Sequence, residues 1–171
     1  MVHCYIYPHK WFDGIMKQNN WNDENIPADS AFISICCQPE IKKNYLEAVK
    51  HETDEHWFKS DHDNVLNVDF DDILMEKAET KYGMAYGMSE ADAKKIIQFI
   101  ENNKEKQNWY IHCRSGKSRS VATGMFIKKY LKEKHNIDVR PHSDVHGVFG
   151  LNGYMFDLYC KTAGLKDNKV A

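Results

Sequence analysis

The spacing of apolar and polar residues along the chain predicts strands that alternate with helices. Short apolar or alternating runs predict three strands, at residues 31–39, 63–70 and 108–113. Apolar residues that recur every three or four positions predict four helices, at residues 40–50, 89–103, 120–134 and 152–163. This alternation favours an α/β fold in which a central, mixed or mainly parallel sheet is flanked by helices.

Local signals at the helix ends support two of these predictions. Ser89, followed by Glu90 and Asp92, has the form of a helix N-cap with an acidic first turn. Gly164 lies where a glycine C-cap would end the last helix. Residues 135–151 have no clear periodicity and are predicted to form a loop.

Composition limits the class of protein. The chain has 171 residues, of which 42% are hydrophobic and 28% are charged, so it can form both an apolar core and a polar surface. This excludes a disordered or fibrous chain, and the length predicts one domain over residues 1–171. The 23 Lys and Arg residues nearly balance the 25 Asp and Glu residues, which leaves no overall field to attract nucleic acid or an anionic bilayer. We therefore expect neither partner, and anion binding only at a local site.

The cysteines and the termini indicate a cytoplasmic protein. Five cysteines, with no CxxC spacing, suggest neither a disulfide framework nor a cysteine zinc site. The N-terminal residues MVHCYIYPHKWF do not have the basic segment and long apolar run of a signal peptide, and no stretch approaches the roughly 20 apolar residues that cross a bilayer. We expect reduced thiols and localisation in the cytoplasm.

The clearest chemistry lies in HCRSGKSRS, residues 112–120, between a predicted strand and a predicted helix. A short loop that turns into a helix N-terminus directs backbone N–H groups to one point, where they and the helix dipole stabilise an anion. Cys113 is expected to be mostly thiolate there, and Gly116 allows the backbone to bend inward. The expected phosphate-binding residues are Arg114, Ser115, Gly116, Lys117, Ser118 and Arg119.

These residues predict a displacement reaction at phosphorus. The planar guanidinium of Arg119 is suited to hold two phosphoryl oxygens. A thiolate that faces the phosphorus attacks in line and releases an alcohol or phenol, which leaves a cysteinyl-phosphate for water to hydrolyse. Ser120 is expected to donate a hydrogen bond to the sulfur and help it leave. The GKS sequence does not end a nucleotide-binding phosphate loop, because that motif needs a glycine where this chain has Ile111.

The segment resembles the HCxxGxxR[ST] signature of the cysteine-dependent protein tyrosine phosphatases. Every fixed position of the signature is met, by His112, Cys113, Gly116, Arg119 and Ser120. The flanking pattern is most similar to the dual-specificity branch, and the FDD sequence to small bacterial and phage members. The resemblance implies an α/β fold with a sheet of four or five strands, a structural His112, and a reaction without metal or cofactor.

The resemblance also implies a carboxylic acid, on a loop before the cysteine, that protonates the leaving oxygen. Asp69, Asp71 and Asp72 follow the predicted strand VLNV. Strand alternation, aligned with the family pattern, favours Asp72 as the general acid, with Asp71 as the alternative. The alternative interpretation is that one or two of the three aspartates only cap the following turn.

The basic residues Arg114 and Lys117 leave the substrate class open. CRSGKSR is similar in part to the dual-specificity loop CxxGxSRS and in part to the phosphoinositide-phosphatase loop CKxGKxR. The first expectation is a phosphoprotein that carries phosphotyrosine, or phosphoserine and phosphothreonine. The alternative is a phosphoinositide, an inositol phosphate or an RNA 5′-phosphate, and a catalytically inactive phosphopeptide-binding module is a minor one. Phosphate, sulfate and vanadate are expected to bind in the loop.

Other polar and sulfur-containing residues receive structural interpretations. Cys36 and Cys37 are predicted to fill the core, and a reversible disulfide with Cys113 is the alternative that the resemblance implies. Three further residues are predicted to lie on the surface rather than bind a metal, because no fourth ligand accompanies them: His142, Asp144 and His146.

Overall fold

Five parallel strands form the central sheet of the computed structural model, which describes residues 1–49, 54–143 and 150–170. From one edge of the sheet to the other, the strands are β3 (Val65–Asp69), β2 (Ser30–Cys36), β6 (Asn108–Cys113), β1 (Val2–Pro8) and β7 (Val139–Ser143). All neighbouring pairs in this sheet run parallel. Two shorter strands, β4 (Lys77–Thr80) and β5 (Gly83–Tyr86), form a separate antiparallel hairpin.

Helices cover both faces of the sheet. The described part of the chain has five of them: α1 (His9–Gln18), α2 (Pro39–Ala48), α3 (Glu90–Asn102), α4 (Arg119–His135) and α5 (Gly153–Ala163). Apolar residues of α3, α4 and α5 pack on one face, and Phe12 and Met16 of α1 pack against Phe32 on the other. The predicted α/β fold with a parallel sheet between helices is therefore confirmed. Within the described residues, no helix is long and apolar enough to cross a bilayer.

The predicted strands and helices are all present, with ends that differ by a few residues. Ser89 caps α3: its Oγ accepts from the backbone N–H of Asp92, and the Asp92 carboxylate accepts from the backbone N–H of Ser89, each over 3.0 Å. Gly164 follows α5 with φ of 66°, in the left-handed conformation that a C-cap requires.

The prediction of a loop over residues 135–151 is wrong, because Val139–Ser143 form β7. Among the described residues this strand pairs with β1 alone, at an edge of the sheet, where Pro141 is tolerated and few apolar residues are needed. The sequence analysis also assigned no element to β1, α1 or the hairpin of β4 and β5. Residues 144–149 lie outside the described part of the chain.

His112 and Cys113 are adjacent in β6, but their side chains lie on opposite faces of the sheet. Trp109, Ile111 and Cys113 belong to the core on the side of α3, α4 and α5. His112 points the other way and packs against Phe12 of α1, with 4.4 Å between ring centroids. Because side chains of a strand alternate between faces, the cysteine and the histidine that precedes it have different surroundings.

Helix α4 packs on β1 at a glycine, Gly124, which lies against the side chain of Ile6. A Cβ added at Gly124 would lie 2.5 Å from Cδ1 and 2.9 Å from Cγ1 of Ile6. Both distances are shorter than any normal contact between carbon atoms. The absence of a side chain at Gly124 therefore leaves the space that the Ile6 side chain fills.

We expect Gly124→Ala to lower the free energy of unfolding by about 1–3 kcal/mol, because overpacking outweighs the roughly 1 kcal/mol that alanine gains over glycine in a helix. Ile6→Ala removes both atoms that would clash, so the double variant should be more stable than the sum of the single changes by about 1 kcal/mol or more. Denaturant unfolding of the three variants measures this coupling. Additive effects would contradict the close approach of Gly124 and Ile6.

Candidate active site

Cys113 lies at the carboxyl end of β6, and its side chain is buried. The loop of residues 114–118 follows it, and α4 begins at Arg119. The hydroxyl of Ser120, in the first turn of α4, lies 3.1 Å from Sγ of Cys113. The strand, loop and helix that were predicted for residues 108–134 therefore place a thiol at the N-terminus of a long helix, a position that stabilises an anion.

Gly116 allows this loop to pack against the end of β1. Its φ is +70°, in the left-handed region, and a Cβ there would lie 2.4 Å from the backbone nitrogen of Pro8. Neither the conformation nor the space suits a side chain. The end of β1 thus fixes the curvature of the loop.

The guanidinium of Arg119 is buried beside the thiol. Its Nη1 donates to the carbonyl oxygen of Phe70 over 2.7 Å and lies 3.6 Å from Sγ of Cys37. Its Nε is buried and has no hydrogen-bond partner among the described residues. Burial alone would lower the pKa of Arg119, but the Cys37 and Cys113 sulfurs and Asp72 raise it, so the group stays charged.

The pKa of Cys113 lies below its ordinary value. Burial alone would raise it, but this effect is outweighed by the charge of Arg119 and by hydrogen bonds from the Ser120 hydroxyl and the backbone of Ser118 and Ser120. These groups stabilise the thiolate more than the neutral thiol. The loop therefore favours the nucleophilic form of the cysteine.

The imidazole of His112 is buried and neutral. Burial, followed by the nearby His9 and His56, holds its pKa well below the usual range. Its Nε2 lies 2.6 Å from the hydroxyl oxygen of Ser34 on the neighbouring strand β2. This contact connects the residue before Cys113 to the neighbouring strand.

Asp72 lies next to the loop that carries Cys113. Its Oδ1 accepts hydrogen bonds from the hydroxyl of Ser118 over 2.7 Å and from Nδ2 of Asn152 over 2.8 Å. Asn152 is the N-cap of α5, so the start of that helix connects the acidic segment to the loop. The carboxylate is therefore held beside the mouth of the candidate site.

Asp71 has a different position, although it is the adjacent residue. It is buried, and its carboxylate accepts hydrogen bonds from the backbone N–H groups of Gln38 and Tyr86, over 3.1 and 2.8 Å. Burial raises the pKa of Asp71, although these two hydrogen bonds and Arg119 oppose the change. Asp71 thus ties its segment to the start of α2 and to β5. Asp69 points to the other face of the sheet, where it accepts from Nε2 of His56 over 2.7 Å.

The rim of the site carries basic residues. The guanidinium of Arg114 lies over the ring of Tyr45 on α2, 4.0 Å from its centroid, and donates a hydrogen bond to the Tyr45 hydroxyl. Ser115 and Lys117 are exposed, and Ser118 is half-buried. Of the cations among the six residues predicted to bind phosphate, Lys117 is exposed, Arg114 lies against α2 and Arg119 is buried.

Sequence reasoning missed Tyr45 and Asn152. Tyr45 lies in the apolar repeat of a predicted helix, which indicated only core packing. Asn152 begins the last predicted helix, so its type and place were a signal for an N-cap, but nothing in the sequence relates it to Asp72. Both contacts join parts of the chain that are far apart in sequence.

The residues that were interpreted as structural differ in burial, and two of them are not described. Cys36 is buried, whereas Cys37 is half-buried and burial raises its pKa to about 11. His142 lies on β7, where its Nε2 is 2.9 Å from Nδ1 of His3. Asp144 and His146 lie outside the described residues.

One cluster has potential metal ligands in the described part of the chain. Ligand atoms of Cys36, His56 and Asp69 lie within 4.8 Å of one another. Both nitrogens of the His56 ring already take part in hydrogen bonds, to Ser34 and to Asp69. This geometry is that of a hydrogen-bonded chain, since a metal ion would have to displace one of these bonds.

We expect Cys113 to react with iodoacetamide at lower pH than the other four cysteines. Its thiolate is stabilised, whereas burial raises the pKa of Cys37 and Cys160 to about 11 and that of Cys4 to about 12. The rate should rise with pH and level off above the lowered pKa of Cys113. Mass spectrometry of the alkylated peptides measures each site, and Ser120→Ala should move the midpoint upward. Faster reaction at Cys37 would contradict this description of the loop.

No protein-family model, no curated protein and no solved structure matches this chain.

Proposed function

We propose that this protein is a cysteine-dependent phosphomonoester hydrolase of the protein tyrosine phosphatase superfamily, similar to its dual-specificity branch. The proposal rests on one arrangement: a thiol with a lowered pKa, beside a buried charged arginine, at the N-terminus of α4. The buried Nε of Arg119 has no partner among the described residues, and a phosphate oxygen in the loop would supply one. The full HCxxGxxR[ST] signature supports the same conclusion.

The phosphate group would bind where the loop amides and the guanidinium converge. Its dianionic charge balances Arg119 and the helix dipole, and Arg114 and Lys117 add positive charge at the rim. Gly116 brings the backbone close to the bound group because it has no side chain. No metal or cofactor has a part in this scheme.

The reaction would proceed in two steps through a cysteinyl-phosphate. In the first, the Cys113 thiolate forms a bond to phosphorus while the bond to the substrate oxygen breaks, and Asp72 transfers a proton to that oxygen. In the second, water attacks phosphorus, gives a proton to the Asp72 carboxylate and releases the thiolate. The hydrogen bond from Ser120 stabilises the sulfur as it leaves.

Asp72 is the proposed general acid because of its contacts. The carboxylate lies beside the loop and is held by side-chain donors from Ser118 and Asn152. The alternative, Asp71, is engaged by two backbone N–H groups and is buried. A carboxylate with those partners is suited to anchor its segment rather than to reach a substrate.

The proposed substrate is a phosphoprotein that carries phosphotyrosine, with phosphoserine and phosphothreonine as further substrates. The two rim cations favour a second candidate, a phosphoinositide or inositol phosphate whose additional phosphates they would bind. An RNA 5′-phosphate would use the same loop. A catalytically inactive phosphopeptide-binding module is the least favoured, because the thiol, the arginine and the acid are all present. The unpaired cysteines support a reducing compartment, and we propose the cytoplasm.

We expect Cys113→Ser to abolish hydrolysis of p-nitrophenyl phosphate and to retain binding of phosphate esters, since the serine hydroxyl is not ionised near neutral pH. Vanadate should inhibit the unaltered protein. Cys160→Ser, which changes a buried thiol on α5 away from the loop, serves as the control and should keep full activity. Absence of turnover in the unaltered protein on phosphotyrosyl and phosphoseryl peptides, phosphoinositides and RNA 5′-phosphates would refute the proposed function.

Asp72→Ala should lower kcat by about 10²–10⁴-fold for alkyl phosphates, whose leaving oxygen needs a proton, and much less for p-nitrophenyl phosphate. Asp71→Ala should instead lower the free energy of unfolding by about 1–3 kcal/mol, because the backbone N–H groups of Gln38 and Tyr86 lose a buried acceptor. A plot of kcat against leaving-group pKa separates the two variants. Dependence on leaving group in Asp71→Ala alone would reverse the assignment.

A further inference from the structure

A line of hydrogen bonds lies behind the active loop, on the face of the sheet that α1 covers. Nε2 of His112 and Oγ of Ser34 are 2.6 Å apart, and the same hydroxyl oxygen lies 2.6 Å from Nδ1 of His56. Nε2 of His56 then donates to Oδ1 of Asp69 over 2.7 Å. Four side chains thus form one line, which begins at His112, beside the proposed nucleophile, and ends at the exposed carboxylate of Asp69.

The register of the sheet produces this line. Ser34 on β2 lies directly opposite His112 on β6, and Cys36 lies opposite Asp69 on β3. Because alternate side chains share a face, Ser34, Asp69 and His112 all point away from the core that contains Cys113. His56 comes from the segment before β3 and bridges the hydroxyl and the carboxylate.

Solvent reaches this line at His56 and not at His112. The His56 side chain borders an open cleft of about 430 Å³, together with His9, Glu55 and Trp57. The His112 ring is fully buried, with the His9 ring stacked on it at 5.1 Å between centroids. A proton from water can therefore be exchanged at His56, whereas His112 exchanges only through its neighbours.

On the basis of the proposed function, we propose that Ser34, His56 and Asp69 are positioning residues that set the tautomer of His112 and, through it, the reactivity of the Cys113 thiol. The hydroxyl of Ser34 has a single proton, so it can donate to only one of its two imidazole neighbours. The direction of that donation is set by the protonation of His56.

Two states of the line follow from the number of donors. When His56 is neutral, its Nε2–H donates to Asp69 and its Nδ1 accepts from Ser34, so the Ser34 oxygen accepts from Nε2–H of His112. When His56 is protonated, its Nδ1–H donates to Ser34, and Ser34 donates to Nε2 of His112. The single proton of the neutral His112 is then on Nδ1.

The position of that proton matters to Cys113. Nδ1 of His112 has no hydrogen bond of normal geometry among the described residues, but the backbone of Cys113 lies close enough to the ring to raise its pKa. A proton on Nδ1 presents positive charge to this backbone and stabilises the adjacent thiolate. A lone pair on Nδ1 removes that stabilisation. Protonation of His56 is therefore expected to raise the fraction of Cys113 that is thiolate at a given pH below the thiol pKa.

Charged and titratable groups surround His56 on every side. Burial raises the pKa of Asp69, but the hydrogen bond from His56 and the charges of His56, Lys42 and Lys95 outweigh this and hold it below its usual range, so Asp69 is ionised near neutral pH. The other groups that face His56 or line its cleft are His9, Asp13, Asp23, Cys36, Asp54, Glu55, Lys59 and His112.

The rate of Cys113 alkylation by iodoacetamide, measured against pH, tests this proposal without any substrate. In the unaltered protein we expect one inflection from the thiol and a second from His56. Across the second, the observed rate of Cys113 alkylation changes about three- to tenfold. The second inflection should be absent in Ser34→Ala and in His56→Gln. Ser34→Thr keeps the hydroxyl and should keep the inflection.

Two matched controls separate this effect from general destabilisation. Ser30→Ala removes a buried hydroxyl from the same strand, and His62→Gln breaks a comparable histidine–carboxylate pair with Asp23. Both should retain the second inflection. The proposal is overturned if the inflection persists in Ser34→Ala and His56→Gln, or if the controls lose it as well.

Imidazole ¹⁵N spectra give an independent readout. We expect the proton of His112 to move from Nδ1 to Nε2 as His56 loses its own, and to stop responding to His56 in Ser34→Ala. A tautomer that does not change over this pH range would refute the proposal. Neither measurement requires turnover. If the protein hydrolyses no phosphate ester, the proposed function is refuted, but the alkylation and ¹⁵N measurements still test the role of Ser34, His56 and Asp69.

Discussion

The buried charge of Arg119 is the interaction on which the rest of the site depends. A guanidinium removed from water is costly unless hydrogen-bond acceptors and an opposite charge surround it. Here the Phe70 carbonyl, at the end of β3, and the Cys113 sulfur, at the end of β6, fulfil these needs. The arginine therefore favours the thiolate and also requires that two separate strands end at the same place. A parallel sheet with a common carboxyl edge provides that arrangement.

The acidic segment after β3 divides two roles between adjacent carboxylates. Asp71 is buried and accepts from backbone N–H groups of two other elements, so it fixes where the segment runs. Asp72 then lies beside the loop, where only side chains hold it. Anchoring by backbone donors restricts motion more than side-chain contacts do, because a backbone N–H cannot rotate away. Asp71 therefore positions the backbone of Asp72, while the Asp72 side chain keeps more freedom to move.

What the sequence predicted well was local. β6, the loop and α4 are contiguous, so their pattern was enough to predict the strand, the loop and the helix over residues 108–134. β1 was missed, although its buried Cys4 and Ile6 alternate with partly exposed tyrosines. The strand runs directly into α1 at His9, without a turn that would separate the two elements. The contacts of Arg119 with Phe70 and of Asp72 with Asn152 could not be predicted, because they depend on how distant elements pack.

The place of β1 in the sheet has a consequence for the order of folding. It lies between β6 and β7, so His3 pairs with both Asn108 and Arg140, more than a hundred residues further along the chain. Contacts of such long range form slowly, because the chain must first close a large loop. During synthesis β1 has neither neighbour until most of the chain has left the ribosome, and until then its edges are open to pairing with other chains. Since the loop at Gly116 curves against the end of β1, Cys113 acquires its surroundings only when this strand is inserted.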